Sequence, residues 1–210
     1  TESLFLFLTL GAFAAARQNR WLVAALFGML AALTRLQGVL LIVPLAYMVW
    51  QQARLKFQVS SLILFTQRGF VLLMIPLATM VFLAFTNLSL LASYEGELHA
   101  RFVMPWDNVI AAVGLLANGQ GSPVDALNLW ATLGFGAMLI VVWNKLPHEY
   151  GLYSLAMFFA PLFRMTTTQP LVSMDRYVLV LFPVFMMWCA WGNNSWVNRA
   201  VLYLSSPLQL

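Results

Sequence analysis

The chain has 210 residues, of which 62% are hydrophobic and only 9% are charged, and its mean hydropathy is +0.83. These values exclude a water-soluble globular domain and predict an integral membrane protein. The formal net charge of +4 does not indicate nucleic-acid binding, because basic residues in a membrane protein determine its orientation.

The chain begins with an apolar run over residues 4–16 that ends in the basic turn Arg17-Gln18-Asn19-Arg20. Short basic turns of this kind stay on the cytoplasmic side of a membrane. We therefore assign Thr1 and Glu2 to the opposite, extracytoplasmic face. Because the chain starts without Met directly before an apolar run, we expect it to be a truncated segment of a longer polytopic protein.

The next two apolar runs, 21–33 and 39–50, meet at the polar sequence Thr34-Arg35-Leu36-Gln37-Gly38. Each run has about thirteen apolar residues, fewer than the roughly 20 that cross a bilayer unaided. Two short legs that meet at a polar apex predict a water-filled recess. The alternative is one helix kinked at Gly38 and Pro44, but thirty residues would extend over about 45 Å, too far for a single crossing.

The middle of the chain contains the strongest predicted span, residues 69–92. Before it, residues 57–67 are only partly polar and are predicted to lie along the cytoplasmic interface, ending at Arg68. After it comes the extracytoplasmic loop 93–126. Within this loop the apolar piece 109–116 is too short to cross and is predicted to form an interfacial helix.

The remaining crossings are predicted at residues 127–143, 151–163 and 177–191. An outer loop over residues 164–176 separates the last two, and residues 192–210 form an interfacial segment or the start of a further span. We therefore expect one membrane domain over residues 1–210. Its fold class is all-α, a polytopic transmembrane helical bundle with short broken helices and an extracytoplasmic interfacial helix.

Charges divide unequally between the two predicted faces. Seven of the eleven Lys and Arg residues fall on the cytoplasmic side, and four fall outside: Arg35, Arg101, Arg164 and Arg176. Only one of the seven carboxylates, Glu149, lies near the inner face. The outer acids are Glu2, Glu95, Glu97, Asp107, Asp125 and Asp175. Because acids contribute little to topology, their accumulation indicates a site on the outer face.

The sequence Ser173-Met174-Asp175-Arg176-Tyr177 places an acid and a base at the mouth of the last apolar run. An ionisable pair costs several kcal/mol when exposed to lipid, so it should face a wet cavity or a partner in the bundle. Such a pair is a functional candidate by default. The alternative is an interfacial salt bridge that only anchors a helix end.

The outer arginines suit a phosphate-bearing substrate held at the membrane surface, because guanidinium groups bind phosphate oxygens in a bidentate fork. The sequence contains no glycine-rich phosphate loop, no paired-histidine metal spacing and no nucleophilic serine elbow. His99 and His148 are assigned to opposite faces, and the only cysteine, Cys189, lies inside an apolar run. We therefore expect neither a shared metal site nor an intramolecular disulfide.

Several short motifs follow one another in an order that resembles the PIG-V-like mannosyltransferases, which belong to the GT-C superfamily of polytopic glycosyltransferases. The similar residues span nearly the whole chain: Thr1-Glu2-Ser3-Leu4-Phe5, Ala32-Leu33-Thr34-Arg35-Leu36-Gln37-Gly38-Val39-Leu40, Arg101, Pro105-Trp106, Ser173-Met174-Asp175-Arg176-Tyr177 and Phe182-Pro183. The resemblance implies a GT-C-like fold and a polyprenyl-phosphate sugar, mannose or another hexose, as donor. It also implies an active site on the extracytoplasmic face.

In that superfamily the general base is an acid of the first extracytoplasmic loop, which we expect to lie upstream of Thr1. No carboxylate of this chain is therefore assigned as the catalytic base. Family members often have Pro where this chain has Asp175, whereas Arg176 and Tyr177 fit the pattern. The residues expected to bind substrate are Glu2, Arg35, Arg101, Trp106, Asp175, Arg176 and Tyr177.

The expected partners are the polyprenyl-phosphate sugar donor and membrane lipid, without nucleic acid, and no cofactor or metal is indicated. The expected location is a bacterial plasma membrane or, in a eukaryote, the endoplasmic reticulum, with several crossings. A transporter or flippase-like protein for an anionic lipid or solute is the alternative, since it also uses broken helices and arginines at a polar cavity. Transporters commonly contain internal repeats, and the sequence shows no convincing repeat.

Overall fold

The computed structural model describes residues 2–54, 59–85, 101–165, 170–192 and 199. The described part of the chain is almost entirely helical, so the all-α prediction is confirmed. Its α-helices are α1 (Glu2–Arg17), α2 (Trp21–Thr34), α3 (Ile42–Arg54), α4 (Val59–Leu72), α5 (Met74–Phe85), α6 (Pro105–Ala117), α7 (Pro123–Lys145), α8 (His148–Leu162), α9 (Met174–Val178) and α10 (Phe182–Gly192). A 3-10 helix, Leu36–Leu41, precedes α3, and strands β1 (Arg101–Phe102) and β2 (Arg164–Met165) form a short antiparallel ribbon.

Three helical segments among the described residues are long and apolar enough to cross a membrane. The first is Leu36–Arg54, with 19 residues, which comprises the 3-10 helix and α3. The second is Thr66–Phe85, with 20 residues, which runs from within α4 to the end of α5. The third is Pro123–Lys145, with 23 residues, which is α7. Large apolar side chains project from their surfaces, with Phe85 86%, Phe70 76% and Trp130 73% exposed. Apolar exposure on this scale suits a hydrocarbon environment rather than water.

The second of the two short apolar runs, residues 39–50, belongs to a longer helical segment than the sequence indicated. Arg35 has an extended backbone, with φ −149° and ψ 133°, so α2 ends there and one continuous kinked helix is excluded. The chain then resumes helical structure at once, because the 3-10 helix joins directly to α3. The prediction that this leg is too short to cross was therefore wrong: the segment Leu36–Arg54 has the length of a span.

Helix α4 also differs from the prediction. It runs from Val59 to Leu72 without a break at Arg68, where an interfacial segment was predicted to end. The interruption comes instead at Leu73, three residues before Pro76, because proline has no N–H to donate to the preceding turn. Residues 86–100, and with them Glu95, Glu97, His99 and part of the predicted loop 93–126, lie outside the described residues, as does most of the tail 192–210.

The predicted span 177–191 is two helices rather than one. Helix α9 carries Asp175, Arg176 and Tyr177 and ends at Val178, and α10 begins at Phe182. Pro183 at the start of α10 cannot continue an upstream helix, because it lacks an N–H and its ring clashes with the preceding turn. The short α9 is therefore a separate element at the mouth of the bundle.

Helix α7 begins four residues before the predicted start of its span, because Ser122 and Asp125 form a capping box. The Ser122 hydroxyl accepts from the Asp125 N–H at 3.2 Å, and Asp125 Oδ2 accepts from the Ser122 N–H at 2.8 Å. Asp125 is buried. The sequence placed Asp125 in a loop, but its carboxylate instead accepts a hydrogen bond from the N–H of Ser122, the residue that caps the start of α7.

Small residues allow α1 and α2 to lie close together. The buried side chains on these facing surfaces include Ala12, Ala16, Ala24, Ala25 and Ala31. An aromatic group then joins α1 to α8 and α10: Phe13 lies 5.4 Å from Tyr150, 5.5 Å from Tyr153 and 5.4 Å from Phe182, between ring centroids. Close approach through small residues is the usual way in which helices associate in a membrane.

Gly38 of the 3-10 helix lies directly against the backbone of α2. A Cβ atom there would lie 2.6 Å from the carbonyl carbon and oxygen of Ala31 and from Ala32 Cα. These are backbone atoms, so no side-chain rotation relieves the overlap. The close approach positions the chain directly after Arg35.

We expect Gly38→Ala to lower the free energy of unfolding by about 1–3 kcal/mol, because the added methyl group forces the 3-10 helix away from α2. Thermal unfolding of the purified protein in detergent measures this change. Gly134→Ala is the matched control, since no atom lies within 4 Å of its added Cβ. Equal stability of the two variants would show that the close approach at Gly38 is not required.

Candidate functional site

The centre of the candidate site is an ion pair between Glu2 and Arg35. Glu2 is the first residue of α1, and Arg35 follows the last residue of α2. Because α1 and α2 are antiparallel neighbours, these two ends meet, and Arg35 Nη2 donates to Glu2 Oε1. The Arg35 side chain is 16% exposed and the Glu2 side chain is 34% exposed, so the pair is partly withdrawn from solvent. Charge pairing is stronger in such surroundings than at an open surface.

Tyr177 completes the cluster from the other end of the sequence. The Arg35 guanidinium carbon lies 5.5 Å from the centroid of the Tyr177 ring, within the range of a cation–π contact. Arg35 Nη1 is buried and has no hydrogen-bond partner among the described residues. The guanidinium is thus held by a carboxylate and an aromatic face, and one buried donor remains unused.

Helix α9, which carries Tyr177, is positioned by the buried Asn128 of α7. Asn128 Oδ1 accepts a hydrogen bond from the Asp175 N–H at 3.0 Å. Just before α9, Leu171 and Ser173 have φ values of 55° and 59°, in the left-handed region that is costly for residues other than glycine. The surrounding contacts therefore have to hold this turn in its conformation.

Asn108 of α6 supplies one of those contacts. It is fully buried, and its Nδ2 donates to the carbonyl oxygens of Arg164 at 2.9 Å and Leu162 at 3.3 Å. Its Oδ1 accepts from the Leu171 N–H at 2.9 Å. One side chain thus connects α6, the end of α8, the strand β2 and the turn before α9. Sequence reasoning did not identify Asn108 or Asn128, and the only available signal was a polar amide within each apolar helix.

The other residues predicted to bind substrate lie on α6, on α9 and in the ribbon. The Arg176 side chain is exposed, and neither it nor Asp175 forms an ion pair with any residue that the structure describes. Trp106 is 59% exposed in the first turn of α6. The backbone of Arg101 pairs with Met165 in the ribbon, and its side chain lies outside the described part.

That the outer arginines serve one phosphate site stays a prediction, since the side chain of Arg101 lies outside the described residues. The structure brings together Glu2, Arg35 and Tyr177. The backbone of Arg164 faces Phe102 across the ribbon, and its carbonyl bonds to Asn108. A long-range ion pair such as Glu2 with Arg35 depends on how the helices meet, which short motifs do not report.

A second ion pair lies at the opposite end of α1. Arg17 Nη2 donates to Glu149 Oε1 at 3.2 Å, and the Arg17 guanidinium carbon lies 5.0 Å from the centroid of the Tyr150 ring. Burial raises the pKa of the Tyr150 hydroxyl above its usual range, while the nearby Arg17 charge acts in the opposite direction. The sequence predicted that Arg17 and Glu149 lie at the cytoplasmic face. It predicted that Glu2 and Arg35 lie at the extracytoplasmic face.

The arrangement at the Glu2 end is suited to binding an anion. A partly buried guanidinium with an unused donor attracts a carboxylate or phosphate oxygen more strongly than an exposed lysine does. Among the described residues, no three His, Cys, Asp or Glu side chains are grouped as metal ligands.

Comparisons with known proteins identify no relative of this chain. It matches no protein family model, no curated protein and no solved structure. The resemblance to the PIG-V-like mannosyltransferases therefore stays a prediction from the sequence motifs.

We expect Asn108→Ala to loosen the turn before α9, because it leaves the Leu171 N–H and the Arg164 carbonyl without their partner. Each unpaired buried group costs about 1–3 kcal/mol. Hydrogen exchange measured by mass spectrometry should be faster for the peptide containing Leu171. Asn144→Ala is the control, since Asn144 is exposed and bonds only to the Ile140 carbonyl of its own helix. Wild-type exchange in Asn108→Ala would contradict the role of this side chain.

Proposed function

We propose that this protein is an integral-membrane glycosyltransferase that moves a sugar, mannose or another hexose, from a polyprenyl-phosphate donor to an acceptor. The reaction takes place on the extracytoplasmic face, at the end of the bundle that carries Glu2, Arg35 and Tyr177. The observation that carries the proposal is the Arg35 guanidinium, held by Glu2 and Tyr177 with one buried nitrogen unused. The motif resemblance supplies the chemical class.

In the proposed step the acceptor hydroxyl attacks the anomeric carbon and displaces the lipid phosphate with inversion. The acceptor proton passes to a carboxylate base, which the motif resemblance implies and which is not assigned to any of the residues above. The leaving phosphate already carries negative charge, so it needs charge neutralisation more than a general acid. Arg35 is oriented before substrate arrives, so its donor meets the developing charge without reorganisation.

Glu2 and Tyr177 act as positioning residues in this proposal. Glu2 occupies one edge of the guanidinium and fixes its plane, and the Tyr177 ring covers one face. A phosphate oxygen then has a defined approach to Nη1. Arg176 and Trp106 are exposed on α9 and α6, and in this proposal they contact the rest of the donor or the acceptor.

A lipid-linked donor also accounts for the long apolar helices. Its isoprenoid tail remains in the hydrocarbon layer beside helices such as α7, and only the phosphate and sugar reach the bundle end. The break at Arg35, between α2 and the 3-10 helix, leaves a charged side chain at the helix end where we propose that the phosphate binds.

The same break favours a second candidate, a transporter or flippase-like protein, because broken helices also build ion and lipid pathways. Labelled polyprenyl-phosphate mannose distinguishes the two functions. Loss of label from the donor with the appearance of a mannosylated product indicates transfer. Movement of intact donor between leaflets of proteoliposomes indicates transport and would replace the proposal.

We expect Arg35→Ala to reduce sugar transfer by about 100-fold or more, and Arg35→Lys by at least about tenfold, because an ammonium lacks the planar fork that serves Glu2 and phosphate together. Arg54→Lys is the matched control. Arg54 also lies over an aromatic ring, 5.0 Å from the Trp50 centroid, but in the last turn of α3.

The transfer assay uses membranes containing the intact protein, with folding checked by thermal unfolding. Arg176→Ala is measured alongside, with a smaller loss expected because the Arg176 side chain is exposed and Arg35 is the guanidinium that the structure shows paired with Glu2. Wild-type transfer by folded Arg35→Ala would end the proposal, whatever the other variants do.

A further inference from the structure

A groove on the membrane-facing surface lies between α7 and α8, in the half of α7 that ends at Lys145. Its volume is about 340 Å³, and its walls include Gly136, Leu139, Ile140, Trp143, Leu155 and Phe158. Among the lining residues Asn144 is the polar one, and its amide bonds back to the Ile140 carbonyl. The groove is therefore apolar along its length.

The end wall of the groove is fixed before any ligand enters. The Trp143 ring lies beside His148, with ring centroids 5.3 Å apart, and directly over Gly151. A Cβ atom at Gly151 would lie 2.6 Å from Trp143 Cε3, so only glycine allows the indole this position. The first turn of α8 thus holds Trp143 in place.

The mouth of the groove is basic. Lys145 follows Trp143 and Asn144 in the last turn of α7, and His148 starts α8, both with exposed side chains. The nearby acid, Glu149, is turned away: it is 6% exposed and pairs with Arg17. Arg54 and Arg68 add positive charge at this end of the bundle, where they lie over Trp50 and Trp21.

We propose that this groove binds one acyl chain of an anionic phospholipid, whose phosphate lies at Lys145 and His148. The groove follows a helix of membrane-spanning length, so hydrocarbon reaches it directly. The basic mouth selects an anionic headgroup over a zwitterionic one. This site lies at the end of α7 opposite to Asn128 and α9, away from Arg35.

Native mass spectrometry of the purified intact protein tests the site, with phosphatidylglycerol and phosphatidylcholine of identical acyl chains as probes. We expect phosphatidylglycerol to bind at least about fivefold more tightly. Lys145→Gln should remove about fivefold of its affinity and leave phosphatidylcholine unchanged. Arg20→Gln, which removes an exposed charge from the turn after α1, should have less effect.

Two variants fill the groove. Gly136→Leu adds a side chain beside Phe158, and Ile140→Trp enlarges a residue that is already 67% exposed, so its folding should be preserved. Both should weaken binding of either lipid. Gly134→Leu is the control, because its position on α7 faces open space.

Three results would overturn the proposal: equal binding of the two lipids to the wild type, unchanged lipid binding in folded Ile140→Trp, or a protein dimer that Ile140→Trp dissociates. The last result would mean that the groove is occupied by a second copy of the chain.

Discussion

A charge at the end of an apolar helix is stabilised where a neighbouring element brings an opposite charge to the same level. Helix α1 shows the constraint in its simplest form. It has 16 residues, about 24 Å, and carries Glu2 at one end and Arg17 at the other. Each finds an opposite charge at its own level, Arg35 and Glu149 respectively. Withdrawing an unpaired ion into the hydrocarbon region would cost several kcal/mol, so the two pairs set how α1 meets its neighbours.

Breaks in the helices are the second common feature, and side chains from elsewhere compensate the breaks on either side of α9. The residues between α9 and α10 leave the Val180 carbonyl outside a helix, and the buried Tyr153 hydroxyl donates to it at 2.7 Å. On either side of Ser173, Asn108 accepts a hydrogen bond from the Leu171 N–H and Asn128 accepts one from the Asp175 N–H. Backbone groups without internal partners are not tolerated in an apolar medium, so these polar side chains allow non-helical chain near the site.

The two ends of the bundle differ in how their arginines are used. At one end Arg35 is mostly buried, held on two sides and left with an unused donor, which is the arrangement of a binding site. At the other end Arg17, Arg54 and Arg68 lie over aromatic rings, and Arg17 and Arg54 are exposed, as expected of residues that anchor a protein at a membrane surface. The proposed transfer site and the proposed lipid groove follow from this difference.

Composition and the order of charges along the chain were enough to predict the helical fold class, helices of membrane-spanning length, and that Glu2 and Arg35 lie at one end of α1 while Arg17 and Glu149 lie at the other. Hydropathy and charge are properties of a short window of sequence, so they can be read without knowing the contacts. The pairing of Arg35 with Glu2, the separate helix α9 and the roles of Asn108 and Asn128 were decided only by the tertiary structure. Asn108 bonds to Leu171 across 63 residues, and such contacts exist only once the packed helices have brought distant segments to the same depth.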